Sequence, residues 1–550
     1  MPNAAFTSLF EDALVGARLL RELPSFLRHP ITVEAAGAAL RQRLEHRDAI
    51  FLSLVKGAIY GNPTSPYRPL LTHAGCEYED LERLVRQDGV EGALHVLYRH
   101  GVYLTAEEFK GRRPVVRGNV TIAVRPDHFR NPGSAGQVPV RSSGSGGPAT
   151  SVLINLAYLR DRAANTCLTL DARGGNEWAH ASWGVPGAGG VIGLLVYSGF
   201  GGHTAQWFSQ IPWTARALSR RYRWSVRLLR WASLAAMVPL PNPRYVPLEN
   251  PRLIVHWMAN VLRSGGTPHV RTSSSCAVRL CQAATAAGIS LLGAQFTVGG
   301  EPMTDARRTV IGQAGATAIP GYGAIEAGSI GDGCLAPEVS DDMHLFHDRH
   351  AVIRLETERE RGIPSGALLL SSLRSTAPLI LLNVSLGDQA VLSRRACGCP
   401  LERLGWTTHL QQIRSFEKLT AAGMTFLDTD VLRVLEEVLP ARFGGGPTHY
   451  QLLEEETEDG RPCLRLLVHP AIGALDLDAV AEAFLTAISA GPGGERVMGL
   501  VWRDAKLLRV ERREPLVTGS GKILHLIRAK SATQPNAQGG GSAARKKRLG

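Results

Sequence analysis

A lysine close to the C-terminus lies in a run of small residues that suits a catalytic role. Lys522 follows residues 518–521, Thr-Gly-Ser-Gly, in a chain of 550 residues. A lysine on such a turn can reach into a cleft formed by distant parts of the chain. The run is not a Walker A loop, which requires glycine six residues before the lysine and Ser or Thr directly after it. Leu516 and Ile523 occupy those two positions.

A second run, rich in serine and glycine, lies far upstream. It comprises Ser142, Ser143, Gly144, Ser145 and Gly146, followed by Gly-Pro. Hydroxyl groups and glycine amides can donate hydrogen bonds to phosphate oxygens without filling space. The same composition is also typical of a flexible linker. One of the two runs could hold phosphates while the other brings positive charge.

Four further short motifs lie between these runs. They are Gly300-Glu301-Pro302, Tyr322-Gly323 with Glu326, Gly387-Asp388, and Arg414 with Glu417. Each alone is also typical of a turn or a solvated charge. The six motifs occur in an order and spacing, over residues 142–522, that resembles the adenylate-forming enzymes, specifically the phenylacetate–coenzyme A ligase branch.

The resemblance implies a role for each motif. The Ser/Gly loop would bind the ATP phosphates, and Gly300, Glu301 and Pro302 would lie beside adenine. The remaining roles concern single side chains: Tyr322, next to Gly323, stacking near adenine, Glu326 holding Mg²⁺, Asp388 and Arg414 contacting ribose, Glu417 serving as the interdomain hinge, and Lys522 contacting the carboxylate and α-phosphate. Two departures concern ATP binding, because Gly146 replaces a phosphate-loop hydroxyl and Ile325 replaces a threonine beside Glu326.

The implied reaction is the ATP- and Mg²⁺-dependent activation of a small carboxylic acid. The acid attacks the α-phosphate to give an acyl-adenylate and pyrophosphate, and coenzyme A then displaces AMP to give a thioester. Two alternatives for the acceptor are an acyl carrier protein acting in trans and a protein cysteine. A non-catalytic binding protein that keeps the fold is the competing class, because the phosphate loop and Ile325 depart from the pattern.

A Gly/Tyr-rich segment is the candidate for the acid pocket. In the branch that the chain resembles, the pocket lies near such a segment, here Tyr197, Phe200, Gly201 and His203. Glycine permits close approach of a substrate, and the aromatic rings supply apolar walls. A tight turn between core elements would have the same composition.

Two cysteines separated by one glycine indicate a metal site. Cys397 and Cys399 can share one ion, and Cys334 and His344 lie upstream. Three thiolates and one imidazole complete a closed tetrahedral zinc site. His347 and His350 are competing nitrogen donors. Reduced cysteines in a turn are the alternative, because eight cysteines in 550 residues do not indicate a disulfide framework.

The periodicity of apolar residues predicts an α/β fold. The first hundred residues have helical spacing, and short apolar runs then alternate with helical segments, among them a strand at 151–154, a helix at 157–170 that Asn155 could cap, and a strand-like run at 190–196. We predict a helical segment at 1–114, a large α/β core domain of layered sheets and helices at 115–413, a small mobile α+β lid at 414–530 and a disordered basic tail at 531–550.

Composition limits the partners. The chain carries a net charge of +12, of which the cluster at 545–548 contributes part. Apolar stretches are shorter than the roughly 18 residues of a membrane span, so we expect a cytoplasmic protein without stable membrane insertion. We do not expect nucleic-acid binding. A second basic stretch, residues 213–231, interleaves arginines with aromatic residues, and we predict a surface helix with a solvated arginine face, the alternative being a dock for an anionic partner.

Overall fold

The fold is seen in a computed structural model. It describes residues 3–134, 138–141, 151–185, 188–202, 204–215, 220–356, 363–415, 420–421, 424–425, 428–456, 462–489, 508–518 and 522–528. The α-helices are α1 (Asn3–Arg28), α2 (Val33–Glu45), α3 (Arg47–Val55), α4 (Arg68–His73), α5 (Tyr78–Arg99), α6 (Ala106–Phe109), α7 (Leu156–Asp171), α8 (Ala188–Ser198), α9 (Arg220–Ala235), α10 (Arg252–Arg263), α11 (Ser274–Ala286), α12 (Asp305–Gln313), α13 (Pro400–Arg403), α14 (Asp428–Arg433), α15 (Leu439–Phe443) and α16 (Leu477–Ser489).

The strands found in the described residues form five sheets. They are β1 (Val115–Arg117), β2 (Val120–Ile122), β3 (Val138–Arg141), β4 (Ser151–Ile154), β5 (Ala179–Gly184), β6 (Thr204–Ser209), β7 (Pro243–Tyr245), β8 (Pro268–Thr272), β9 (Gln295–Gly299), β10 (Thr317–Ala324), β11 (Gly328–Gly333), β12 (Met343–Leu345), β13 (His350–Arg354), β14 (Ala367–Ser372), β15 (Val384–Arg394), β16 (Thr408–Ser415), β17 (Thr420–Ala421), β18 (Met424–Thr425), β19 (Tyr450–Glu456), β20 (Pro462–Val468), β21 (Leu508–Arg512) and β22 (Leu526–Arg528). Strands and helices alternate along the chain, so the α/β prediction is confirmed.

One large sheet organises most of the chain. Its twelve strands follow the order β13-β14-β15-β16-β12-β11-β10-β9-β8-β5-β6-β7. The half from β10 to β7 is parallel, and the half from β13 to β11 is antiparallel. Parallel strands end at the same edge of a sheet, where loops that follow them can form a binding site. Strand β10 lies where the two halves meet.

The C-terminal unit, residues 428–528, has a sheet of its own. Its strand order is β21-β20-β19-β22, and only β19 and β20 pair antiparallel. Apolar residues of α14, α16 and this sheet form a separate buried core. This unit combines helices and strands, as predicted for the lid, whereas the bounds of the four predicted segments stay predictions.

Local sequence explains how the elements begin. Asn155 caps α7, since its side chain accepts a hydrogen bond from the amide of Tyr158 at 2.6 Å, as the sequence predicted. Ser273 and Thr304 cap α11 and α12 in the same way. One expectation was wrong: the run at 190–196 is not a strand but part of α8. An uninterrupted apolar run does not distinguish a buried strand from a buried helix.

Helices that could cross a membrane are not found in the described part of the chain, because none combines sufficient length with sufficient hydropathy. Helix α10 has all three of its fully buried residues, Ile254, Val255 and Met258, packed in the core beside β8 and β9. Helix α9, in contrast, exposes several large apolar side chains.

Candidate active site

The ends of two parallel strands place the first candidate motif. Gly321 on β10 pairs with Gly299 on β9, and Gly300 follows directly. Gly300 has φ +79°, a left-handed conformation that favours glycine. The Gly300-Glu301-Pro302 turn therefore lies at the carboxyl edge of the sheet, next to the Tyr322 motif on β10.

Lys522 of the C-terminal unit lies directly against this turn. A Cβ atom built on Gly300 would be 2.3 Å from Nζ of Lys522 and 2.7 Å from its Cε. Only a residue without a side chain permits this approach. The structure thus joins two predicted site residues that are more than 200 positions apart.

Hydrogen bonds shape the loop that carries the lysine. The amide of Thr518 donates to the carbonyl of Lys522 at 2.8 Å, and the amide of Lys522 donates to Oγ1 of Thr518 at 3.1 Å. Buried Gln451 on β19 links the two arms of the loop, because it bonds to Leu516 and to the carbonyl of Leu524 at 2.7 Å. Gln451 thereby fixes the base of the Lys522 loop.

A buried ionic network fastens the C-terminal unit to the core. Arg307 on α12 is fully buried and donates to Glu301 at 3.1 Å and to Glu436 at 2.9 Å. His525 contacts both Arg307 and Glu436. Glu301 also accepts the amide of Ile523 at 2.9 Å. The residue next to Lys522 is therefore bonded to the residue next to Gly300.

The electrostatic environment keeps Glu436 ionised. Burial opposes its charge, but the positive charge of Arg307 and the hydrogen bonds with His525 and Thr304 outweigh burial and lower the pKa of the Glu436 carboxyl. The Glu301 carboxylate is committed to protein donors, among them the amide of Ser275 at 2.7 Å. The side chain of Glu301 therefore accepts hydrogen bonds within the network, and any contact with adenine would come from its backbone.

Two further motifs meet through one hydrogen bond. The hydroxyl of Tyr322 donates to Oδ2 of Asp388 at 2.8 Å. Burial and the neighbouring carboxylate hold the pKa of Tyr322 well above its usual value, so the phenol keeps its proton. Gly387 precedes Asp388 with φ +90°. The structure thereby joins the aromatic ring predicted to stack near adenine and the carboxylate predicted to bind ribose.

Glu326 lies in the turn between β10 and β11 and is half-buried. Within the described ranges its carboxylate forms no hydrogen bond or ion pair, so it is available to a cation. Its neighbour Ile325 packs against the main hydrophobic core. The departure from threonine at 325 thus has a packing role in this chain.

Arg414 is not joined to Asp388. Asp388 pairs with Ser415 across β15 and β16, and Arg414 pairs with Gln389, so the two side chains project to opposite faces of the sheet. The guanidinium of Arg414 donates to Asp341 at 2.7 Å. Its contact with ribose stays a prediction.

Several predicted residues lie outside the part of the chain that the structure describes. These are Ser142, Ser143, Gly144, Ser145, Gly146, His203 and Glu417. The strands that flank the serine and glycine run are described, and Arg141 pairs with Ser151 across β3 and β4. The run thus connects two adjacent antiparallel strands. The hinge at Glu417 stays a prediction.

The candidate acid pocket is an aromatic cluster between α8 and the sheet. The ring of Tyr197 lies 5.5 Å from Phe200 and 4.7 Å from His180, and His180 bonds to His269 at 2.9 Å. Burial raises the pKa of Tyr197 to about 12. Gly201 has φ +80° and ends the turn. The cluster is consistent with either a pocket wall or a packed turn, so the pocket assignment stays a prediction.

Arg271 is a charged residue in this region that the sequence did not indicate. It lies on β8, and its Nη1 is 3.4 Å from the position of a Cβ on Gly193 of α8. The absence of a side chain at Gly193 leaves space for the guanidinium. The cluster beside Tyr197 therefore has a cationic border.

The four predicted zinc ligands converge. The ligand atoms of Cys334, His344, Cys397 and Cys399 all lie within 4.8 Å of one another, and Nε2 of His344 is 3.2 Å from Sγ of Cys399. Nδ1 of His344 bonds to the carbonyl of Trp406 at 2.6 Å. This bond assigns the proton to Nδ1 and leaves Nε2 available for a metal.

The chemistry of the donors fits a structural zinc ion. Burial lowers the pKa of His344 to about 4, so the imidazole is neutral near neutral pH. His350 instead contacts the carbonyl of Ser329, and neither it nor His347 belongs to the four-residue group. A second group, Cys334 with Asp342 and His409, shares one cysteine with the first.

Sequence reasoning missed Arg307, Glu436, His525 and Gln451. Arg307 and His525 are 218 positions apart, and no local pattern links them. The one available signal was a polar residue at 525 within an apolar run.

Comparisons with known proteins agree with the fold. No family model matches the sequence, and a search of curated proteins found no match. A solved structure of 2-hydroxyisobutyryl-CoA ligase in the postadenylation state with 2-HIB-AMP has TM-score 0.52 and 14% identity, covering 92% of this chain and 91% of that chain. The same ligase with R3-HIB-AMP has TM-score 0.50 and 15% identity over 92% and 91%. At this identity the likeness concerns the fold alone. The chain has the adenylate-forming enzyme fold.

Proposed function

We propose that this protein activates a carboxylic acid with ATP and transfers the acyl group to a thiol. The observation that carries the proposal is the position of Lys522 against Gly300. A cation from the C-terminal unit lies at the edge where Tyr322 and Asp388 are joined. Such a cation can neutralise the charge that develops when a carboxylate attacks the α-phosphate of ATP.

In this proposal each group has one task. Asp388 binds the ribose hydroxyls, and the Tyr322 ring borders adenine. Glu326 would hold Mg²⁺, which supplies charge neutralisation at the phosphates when bound. The Glu326 carboxylate, which forms no hydrogen bond or ion pair with the described residues, fits that ion. The serine and glycine run that begins at Ser142 would donate hydrogen bonds to the phosphates.

The finer assignment is an acid–thiol ligase of the phenylacetate–coenzyme A ligase branch, acting on a small carboxylic acid with coenzyme A. The solved CoA ligase with a bound adenylate shares this fold, which supports the proposal without identifying the acid. A carrier-protein thiol is the alternative acceptor.

Lys522→Ala separates the two half-reactions. We expect the variant to lose acid-dependent exchange of pyrophosphate into ATP, while thioester formation from supplied acyl-adenylate survives. The physical reason is that the C-terminal unit would rotate about Glu417 after adenylation and remove the lysine from the site. Equal loss in both half-reactions would contradict this role.

The non-catalytic alternative is tested with the wild-type chain. Purified protein, ATP and Mg²⁺ are incubated with a panel of aromatic, short aliphatic and fatty acids, and pyrophosphate release is followed. An acid-dependent signal supports the ligase. Silence across the panel, together with no ATP-dependent rise in the thermal midpoint, would assign the chain to a binding role.

We also propose a structural zinc ion at Cys334, His344, Cys397 and Cys399. The convergence of the four ligand atoms supports it, and a closed set of three thiolates and one imidazole stabilises a fold without taking part in chemistry. Metal analysis of protein purified without an affinity tag should give one zinc per chain.

A further inference from the structure

Helix α9 exposes an apolar face that the core does not use. Val226, Leu229 and Ala232 are buried, and they hold the helix on the domain. The opposite side carries large apolar residues with high exposed fractions: Trp224 55%, Leu228 37%, Trp231 62%, Leu234 53% and, just past the helix, Met237 85%. We call these five residues the α9 face.

The spacing of these residues makes the face continuous. Trp224, Leu228 and Trp231 are separated by four and three positions, so they lie on one side of the helix. The predicted surface helix thus exposes more than arginine, because tryptophan and leucine share its outward side with Arg227. Scattered exposed apolar residues need no explanation, but a contiguous set marks an interaction site.

Positive charge accompanies the apolar face. Helix α9 contains five arginines and no acidic residue, and the chain has no Asp or Glu between Glu177 and Glu249. The guanidinium of Arg227 lies over the ring of Trp224 at 5.7 Å. Among the described residues, Arg223 and Arg230 approach only backbone carbonyls, at 3.5 Å and 3.4 Å. These charges are not neutralised by carboxylates in the described part of the chain.

Hydrogen bonds from α1 anchor the C-terminal end of α9. Arg28 at the end of α1 donates to the carbonyl of Ala235 at 2.8 Å and to that of Ala236 at 3.4 Å. These bonds satisfy carbonyls at the C-terminal end of α9, where a helix leaves its acceptors unpaired. A partner therefore meets a preformed surface and does not need to order it.

We propose that the α9 face docks the protein on an anionic lipid surface. A helix with arginines beside exposed Trp and Leu residues is suited to lie in the plane of a membrane interface, where indole rings are favoured and basic residues attract anionic headgroups. A second copy of the chain is a poor occupant, because pairing two identical faces would bring their arginines together. The contact is peripheral, since α9 lies along the surface of the domain.

The test uses the full chain and vesicles of phosphatidylcholine with or without phosphatidylglycerol. We expect cosedimentation with the anionic vesicles that weakens as salt increases. Trp224→Ser with Trp231→Ser should lower the partition coefficient at least about tenfold. Arg227→Gln should lower it about fivefold for anionic vesicles only.

Two control variants make the result specific. Leu292→Ser changes an apolar residue that is 74% exposed and lies elsewhere, and it should bind vesicles as the wild type does. Replacing the four basic residues at 545–548 with glutamine tests the terminal cluster and should leave most binding intact. Circular dichroism and thermal midpoints of the variants at Trp224, Trp231, Arg227 and Leu292 should match the wild type, because these side chains are exposed.

Three results would overturn the proposal. One is a wild-type chain that does not cosediment with anionic vesicles, and another is a double tryptophan variant that binds unchanged. The third is a wild-type chain that does not bind vesicles but forms a concentration-dependent dimer, or a complex with an acidic carrier protein, where the double tryptophan variant forms neither. Vesicle binding does not depend on ATP, so this outcome is separate from that of the ligase test.

Discussion

Gly300→Ala tests the contact between the core and Lys522. The new Cβ would lie 2.3 Å from Nζ, whereas an ordinary contact begins near 3.4 Å, so the ammonium group must move by about 1 Å. A displacement of that size in a catalytic group can cost about 100-fold in rate. We expect acid-dependent pyrophosphate exchange to fall by this factor, while thioester formation from supplied acyl-adenylate is largely retained.

The backbone cost must be separated from the contact. Gly300 has φ +79°, and an L-residue in this left-handed conformation costs about 1–2 kcal/mol. Gly288 supplies a matched control, because it has φ +64° and no atom within 4 Å of its Cβ position. Gly288→Ala should lower the free energy of unfolding by a similar amount and leave adenylation unchanged.

A double variant identifies the partner. If Gly300→Ala acts by displacing Lys522, it should reduce activity no further in a chain that already carries Lys522→Ala. If the activity losses of the two single variants multiply in the double variant, the new methyl group acts on nucleotide binding instead. Equal losses in the Gly300 and Gly288 variants would assign the effect to backbone strain, and either result refutes the reasoning.

Three further predictions concern the network, the Mg²⁺ ligand and the zinc ligands. Glu436→Gln removes the charge between Arg307 and His525, while Arg307 keeps Glu301, so the free energy of unfolding at pH 7 should fall by about 1.5–3 kcal/mol. Because the folded pKa of Glu436 is lowered, this stabilisation is present above its usual pKa of 4.5 and is lost as the pH falls through the folded value. Between pH 7 and pH 4 the free energy of unfolding should therefore fall less in the variant than in the wild type, as measured by denaturation. An identical fall in the two proteins would contradict the assignment. Glu326→Gln should lower the rate of adenylation about 100-fold. Ile325→Thr should leave activity unchanged or raised, while lost packing lowers the free energy of unfolding by about 1 kcal/mol. If Glu326→Gln has no effect and Ile325→Thr lowers activity, the segment is a packed turn. Cys397→Ser and Cys399→Ser should each lower zinc content and thermal midpoint together. Cys281→Ser is the control, because it changes a buried cysteine outside the cluster and should lower stability alone. Wild-type protein that is fully stable without zinc would contradict the zinc proposal.

Sequence patterns determined the local elements and the identity of the candidate groups. Asn155 was recognised as a helix cap because capping depends on residues three positions apart. The candidate zinc ligands Cys397 and Cys399 were recognised because they lie two positions apart in the sequence. The run at 190–196 was misread, since an unbroken apolar segment has no period that distinguishes a strand from a helix. Likewise, the arginines of α9 gave no indication of which side of the helix faces the core.

Tertiary structure alone decided which groups meet. Gly300 and Lys522 touch because β9 ends at the sheet edge where the C-terminal unit docks. The docking depends on Arg307, Glu301 and Glu436, whose charges become strongly coupled only when burial removes water. The Tyr322–Asp388 bond likewise depends on the fold of the large sheet, in which both residues lie. Sequence patterns report interactions over a few residues, whereas a catalytic site depends on contacts over hundreds, and those are set by how strands and helices pack.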